Sequence, residues 1–129
     1  MVIDTSALVA ILTNEADAEE LEQAIDQDPT RLISAASVLE AAIVLESRFG
    51  DAATRELDLL IQRLPIEIRP IDRDQLEWAR FASHAYGRGR HPAKLNLGDC
   101  FSYALAKATG EPLLYKGEDF SQTDIAAGR

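Results

Sequence analysis

Four short apolar runs, each followed within a few residues by a helix-period pattern, constrain this chain more than any other feature. Met1 to Ile3 ends on an acid, Asp4, and reads as a buried strand. Arg31-Leu32-Ile33, Ile66-Glu67-Ile68 and Pro112 to Tyr115 are the other three. Helices are predicted over Ser6 to Leu12, Ala16 to Gln27, Ala35 to Phe49, Ala52 to Leu64, Asp72 to Tyr86 and Leu97 to Ala108, with a short one starting near Phe120. Breakers agree with this reading: Asp28-Pro29 and Pro65 stop helices, Gly50 suits a left-handed position past a helix end, and Asp72 with Gln75 forms a capping pair. The Asp72 helix should bury Leu76, Ala79 and Trp78, with Phe81 and Tyr86 also read as core. Strands alternating with helices imply a mostly parallel sheet covered on both faces, with right-handed crossovers and sites outside the carboxyl ends of the strands. The expectation is one α/β domain over residues 1–129, a four- to five-stranded sheet flanked by helices, without internal repeats or linkers.

Composition narrows the chemistry. The chain has 129 residues, 47% of them hydrophobic, and a net charge of −9 from 13 Lys and Arg against 22 Asp and Glu. That apolar share argues against wholesale disorder, and no run reaches the roughly 18 apolar residues of a membrane span. The first apolar stretch has no basic residues before it and meets Asp4, unlike a signal peptide, so a cytoplasmic location is expected. A single cysteine, Cys100, excludes an internal disulfide, and with only His84 and His91 a zinc site is unsupported. Such acidity also argues against an ordinary nucleic-acid binder. The charge is unevenly spread, however. Residues 1–30 hold eight acids and no Lys or Arg, whereas no acid lies between Glu77 and Asp99. That gap carries Arg80, Arg88, Arg90, Lys94 and both histidines, and Gly87-Arg88-Gly89-Arg90-His91-Pro92 reads as a flexible exposed loop.

Four acids stand apart from the solvated ones. Asp4 ends the first strand, where it would also suit a helix N-cap. Glu40 lies in the Ala35 helix with apolar residues on every side, so that helix is expected to be largely buried and Glu40 to have little water, unless it serves a capping box with Ser37; Ser34 is the other available cap. Asp99 falls in the first turn of the Leu97 helix, behind an Asn96 cap, where the helix dipole favours an acid. Asp119 follows the fourth strand in Lys116-Gly117-Glu118-Asp119-Phe120, where a turn role would also serve. Oxygen ligands without Cys or His suit Mg2+ or Mn2+, and these ions suit phosphate chemistry.

The order and context of these acids resemble the PIN-domain ribonucleases and, within them, the VapC-like toxins of toxin–antitoxin pairs. The resemblance covers essentially the whole chain through MVIDTSAL, SAASVLEAAIVLESR and LNLGDCFSYALAKATGEPLLYKGEDFSQTDI. It implies a PIN-like fold and metal-dependent endonucleolytic cleavage of RNA that leaves a 5′-phosphate and a 3′-hydroxyl. Asp4, Glu40, Asp99 and Asp119 would be the acidic metal cluster, with Thr5 or Ser6 supporting the first acid or the attacking water. Asp4 and Asp99 would be direct ligands, while Glu40 and Asp119 bind directly, through water or at a second ion. Glu118 departs from similar toxins, which often carry Asn there, and Asp124 is a further competitor for the fourth place. A small antitoxin is the implied partner, and a homodimer is expected.

Arg88, Arg90 and Lys94 are the candidates to guide RNA past the acidic surface. Crowded carboxylates repel one another, so without metal at least one should have a raised pKa. Cys100 reads as a core thiol, and His91 as an exposed loop residue or, less simply, a general acid. A phospho-acceptor receiver would want paired acids after the first strand, and an aspartate-nucleophile phosphatase a second Asp where Ser6 stands. A catalytically silent PIN-like adaptor for RNA or protein is the alternative from a different class.

Overall fold

Alternate strand residues point to opposite faces of one sheet, and both faces are buried in three of its four strands, the edge strand at Glu67–Arg69 being largely exposed. In the computed structural model, which describes residues 1–129, the strands are β1 (Val2–Ile3), β2 (Leu32–Ser34), β3 (Glu67–Arg69) and β4 (Leu113–Leu114). They are all parallel, in the order β3-β2-β1-β4. Ala127 adds a parallel bridge to Leu113, so the C-terminal segment occupies a fifth position beyond β4. Val2, Leu32 and Leu113 join one apolar cluster, and Ile3, Ile33 and Leu114 join the other, as period-two side chains must in a doubly covered sheet.

Six helices supply the covers. The Ile3 side packs on α1 (Thr5–Leu12), α2 (Ala18–Gln27), α3 (Ala35–Phe49) and α4 (Asp51–Arg63), through Leu8, Leu21, Ile25, Ala41, Leu45, Leu57 and Leu60. The Val2 side packs on α5 (Arg73–Tyr86) and α6 (Leu97–Thr109), through Ala79, Ala82, Cys100, Tyr103 and Leu105. Helix boundaries differ from expectation by a residue or two. The largest difference is in α2, which begins at Ala18 because Ala16 is exposed and Asp17 precedes the helix.

Two expectations about burial fail. Leu39 and Ile43 of α3 are 61% and 58% exposed and Phe49 is also exposed, so this helix is not buried all round. It buries one stripe, Ser37, Ala41 and Leu45, at four-residue spacing, and the remaining apolar residues lie outside that stripe. On α5, Gln75, Ala79 and Ala82 take the buried face, which leaves Leu76 exposed and Phe81 45% exposed. Trp78 and Tyr86 are half-buried against the α6 cluster. The chain crosses from β3 on one side of β1 to β4 on the other, so a crevice opens at the carboxyl ends of β1 and β4. No helix is long and apolar enough to cross a membrane.

Candidate functional site

Asp4 leaves β1 directly into that crevice and is only 3% exposed. Burying a carboxylate is costly unless donors surround it, and three do here. Its Oδ2 accepts the Ser6 backbone N–H at 3.0 Å and the Ser6 hydroxyl at 2.7 Å, while the Ser102 hydroxyl donates to Oδ1. The expected N-cap of α1 is therefore real, and it coexists with a place at the crevice. Ser6 in turn accepts the Lys116 N–H at 2.9 Å, which ties the segment after β4 to the segment after β1. Thr5 does not share this duty: its hydroxyl donates to the Ser37 carbonyl at 2.9 Å, inside the protein.

Glu40 and Asp99 face one another across the packing of α3 on α6. Ser34, not Ser37, caps α3 by accepting the Ala36 N–H, so no capping box holds Glu40. The Glu40 carboxylate lies over Gly98, where a Cβ would come within 2.2 Å of Oε2. Asp99 and Asn96 form the capping box of α6: Asp99 Oδ2 accepts the Asn96 N–H at 3.0 Å, and Asn96 Oδ1 accepts the Asp99 N–H at 2.9 Å. Burial pushes the Asp99 carboxyl up, the Asn96 hydrogen bond opposes this, and the charges of Asp4, Asp119 and Glu40 raise it further, to about 7. The mutual repulsion expected of a carboxylate cluster is thus present, centred on Asp99.

Asp4, Glu40 and Asp99 line one cavity of about 400 Å³, together with Thr5, Ser6, Val9, Glu15, Val44, Arg48 and Lys116. Asp119 is exposed at the start of a 3-10 turn, Phe120–Gln122, and its side chain makes no capping bond there. Asp124 is committed elsewhere, accepting Tyr103 Oη at 2.8 Å and Lys107 Nζ at 2.6 Å. Burial pushes its carboxyl up, but Lys107 and Tyr103 more than offset this and hold it below the ordinary carboxylate value. Glu118 is exposed.

The donor set is all oxygen and anionic, which fits a hard divalent cation. Its side chains do not close into a ready cage: no three acids or histidines stand together as a metal-binding group, since Asp99 turns back to Asn96 and Glu40 rests on Gly98.

Three features of the site escaped the sequence. Ser102 and Ser37, whose hydroxyls lie 3.1 Å apart, run a buried polar chain to Asp4. Ser102 lies one turn beyond Asp99, the one signal that could have found it. Arg48 follows Glu40 and Val44 at four-residue intervals on the same helix face. Lys116 pairs with Asp17 at 2.9 Å and Glu15 at 3.4 Å.

The basic loop is exposed at Arg88, Arg90 and Lys94, yet its backbone is pinned. Leu95 N–H donates to Tyr86 O at 2.9 Å, Arg88 N–H to Leu95 O at 3.2 Å, and Ala93 and Leu95 are buried beneath. Cys100 is buried as expected. His91 does not line the carboxylate cavity; its Nδ1 accepts the Ala93 N–H at 3.0 Å.

The PIN domain family matches this chain over residues 1–126. A ribonuclease VapC of Mycolicibacterium smegmatis is 61% identical over 127 residues, covering 98% of each chain. Ribonuclease VapC30 of Mycobacterium tuberculosis is 57% identical over 126 residues, covering 98% of this chain and 96% of its own. The crystal structure of Mycobacterium tuberculosis VapC20, a Sarcin-Ricin loop cleaving toxin, superposes with a TM-score of 0.78 over 97% of this chain and 95% of that one. At 17% identity that likeness concerns the fold alone.

Proposed function

The chain belongs to the PIN-domain family and, within it, to the VapC ribonucleases, and from that premise we propose that it hydrolyses RNA phosphodiesters with Mg2+ or Mn2+ held by Asp4, Asp99, Glu40 and Asp119. It is an endoribonuclease, the toxin of a toxin–antitoxin pair, of a kind that works with metal. The observation that carries the reading is the meeting of three carboxylates, from β1, α3 and α6, in one cavity at the carboxyl edge of the sheet.

When bound, the ion supplies an acidified water and neutralises charge on the phosphate in flight. The protein's own residues do the positioning. Ser6 and Ser102 hold both Asp4 oxygens, fixing the carboxylate while leaving one lone-pair site, on Oδ1, for a ligand. Arg48, exposed on the cavity rim, is placed to attract a phosphate. Hydrolysis at P–O3′ would place the oxygen of a water on phosphorus and pass one of that water's protons, by way of solvent, to the departing 3′ oxygen, leaving a 5′-phosphate and a 3′-hydroxyl.

Partners follow from the same premise. A cognate antitoxin is proposed to cover the site in the resting pair. Leu39 and Ile43, adjacent on α3 and left in water, support a homodimer or antitoxin surface. The function is tested by incubating the protein with total RNA in Mg2+ or Mn2+ and mapping the cut ends. Ends bearing 5′-phosphate and 3′-hydroxyl, lost in chelator, are expected; 2′,3′-cyclic phosphate ends or cleavage in chelator overturn the proposal.

A further inference from the structure

A second cavity, of about 520 Å³, lies between α5, the 87–95 loop and the first turn of α6. Arg80, Arg88 and Arg90 line it, and no acid occurs from Trp78 to Gly98 to neutralise them. Arg88 and Arg90 form no ion pair, and Arg80 has only the exposed Glu77 at 3.9 Å. In a chain of net charge −9 this is a concentrated positive groove. Lys94, grouped with these arginines on sequence grounds, does not line it.

The opposite wall is apolar. Leu97 is 77% exposed at the first position of α6, and Leu76 and Phe101 line the same groove. An exposed leucine there adds little to the core, but it offers a face for a flat ring. Asn96 and Cys100 also line the groove, and both flank Asp99, which lines the carboxylate cavity. The two cavities share no lining residue, but residues of the same first turn of α6 line both, on a helix only about 10 Å wide with its side chains.

The geometry points to a nucleotide subsite: the groove binds the RNA nucleotide adjoining the scissile phosphate, with Arg88, Arg90 and Arg80 on its phosphate and Leu97, Leu76 and Phe101 against its base. This rests on the chain being an RNA-cleaving enzyme. Guanidinium groups beside an apolar platform match the charge and ring of a single-stranded nucleotide, since Arg both pairs with phosphate and stacks on bases. Closeness to the carboxylates, one helical turn away, favours RNA over an acidic protein segment.

The test uses the full chain and a fluorescein-labelled single-stranded RNA carrying the mapped cut site, with binding measured in chelator so that nothing is cleaved. Arg88→Ala with Arg90→Ala is expected to weaken binding at least tenfold. It should also make the slope of log affinity against log salt shallower by about 0.7, the share of the one phosphate these arginines contact. Leu97→Ser is expected to weaken binding of intact RNA about fivefold and to leave binding unchanged for RNA that is abasic at the adjoining position. Arg55→Ala, an exposed arginine on α4, is the control and should bind as the parent does. Parent-like affinity and salt slope in the arginine variant, or an equal Leu97→Ser loss on abasic RNA, overturns the subsite. So does parent-like RNA binding by variants that release an acidic peptide bound by the parent, which would give the groove to a protein. If the parent cuts no RNA, the functional reading has failed; if it cuts and the variants bind and cut as it does, only the subsite has.

Discussion

Asp99→Asn should stabilise the metal-free protein while abolishing its activity. In the folded chain the Asp99 carboxyl titrates near 7, raised by burial and by Asp4, Asp119 and Glu40, against about 4 in the unfolded chain. Below about pH 4 both states are protonated and the group costs nothing. Between 4 and 7 the unfolded chain releases a proton that the folded chain retains, so stability falls as pH rises. Above 7 the penalty is complete. About three units at about 1.4 kcal/mol each set a ceiling near 4 kcal/mol. Asp99 is half-buried, so solvent screens part of this, and replacing the acid also forfeits about 0.3–1 kcal/mol of favourable helix-dipole interaction. The net gain expected is about 1–2 kcal/mol, or a Tm rise of roughly 3–8 °C for a chain of this size. Thermal unfolding of parent and variant in chelator, at pH 8 and pH 4, measures it. The gain should appear at pH 8 and nearly vanish at pH 4. A lower Tm for the variant at pH 8, or a gain that ignores pH, refutes the reasoning.

Other residues make separable predictions. Gly98→Ala should displace the Glu40 carboxylate, lowering kcat at least tenfold while Tm stays within a few degrees, because alanine suits a helix and only a side-chain end must move. Ser102→Ala removes a buried donor from Asp4 and should cost about 1.5–3 kcal/mol, read by urea unfolding. Replacing Leu39 and Ile43 together by Ser should leave the monomer fold intact and weaken self-association or antitoxin binding, read by sedimentation of the free and mixed proteins.

Much of the fold was legible because its signals are local. The strand at Met1–Ile3 followed by Asp4, the Asn96–Asp99 first turn and the helix stop at Gly50 depend on a few neighbouring residues, and each lies where those residues direct it. Burial was less legible, because it depends on which helix face meets the sheet. The apolar run Val38 to Leu45 looks buried all round, yet Leu39 and Ile43 stand in water while Ala41 and Leu45 reach the core and Val38 and Ala42 only flank it. Phe81 and Leu76 failed for the same reason on α5.

Within the site, Asp4, Glu40 and Asp99 were found from their order in the chain, and they line one cavity. Ser102 and Lys116 were missed because the contacts that matter to them cross between elements far apart in sequence, whereas Arg48 was missed although it follows Glu40 at helical spacing on one face. The link from Ser102 to Asp4 spans 98 positions, and no local pattern reports it.

The most direct test of the central claim compares the parent with Asp4→Ala for cleavage of total RNA in Mg2+ or Mn2+, with folding of the variant checked by circular dichroism. The account predicts cut ends with the parent and none with the folded variant. Cleavage at the parent's rate and positions by Asp4→Ala would contradict it.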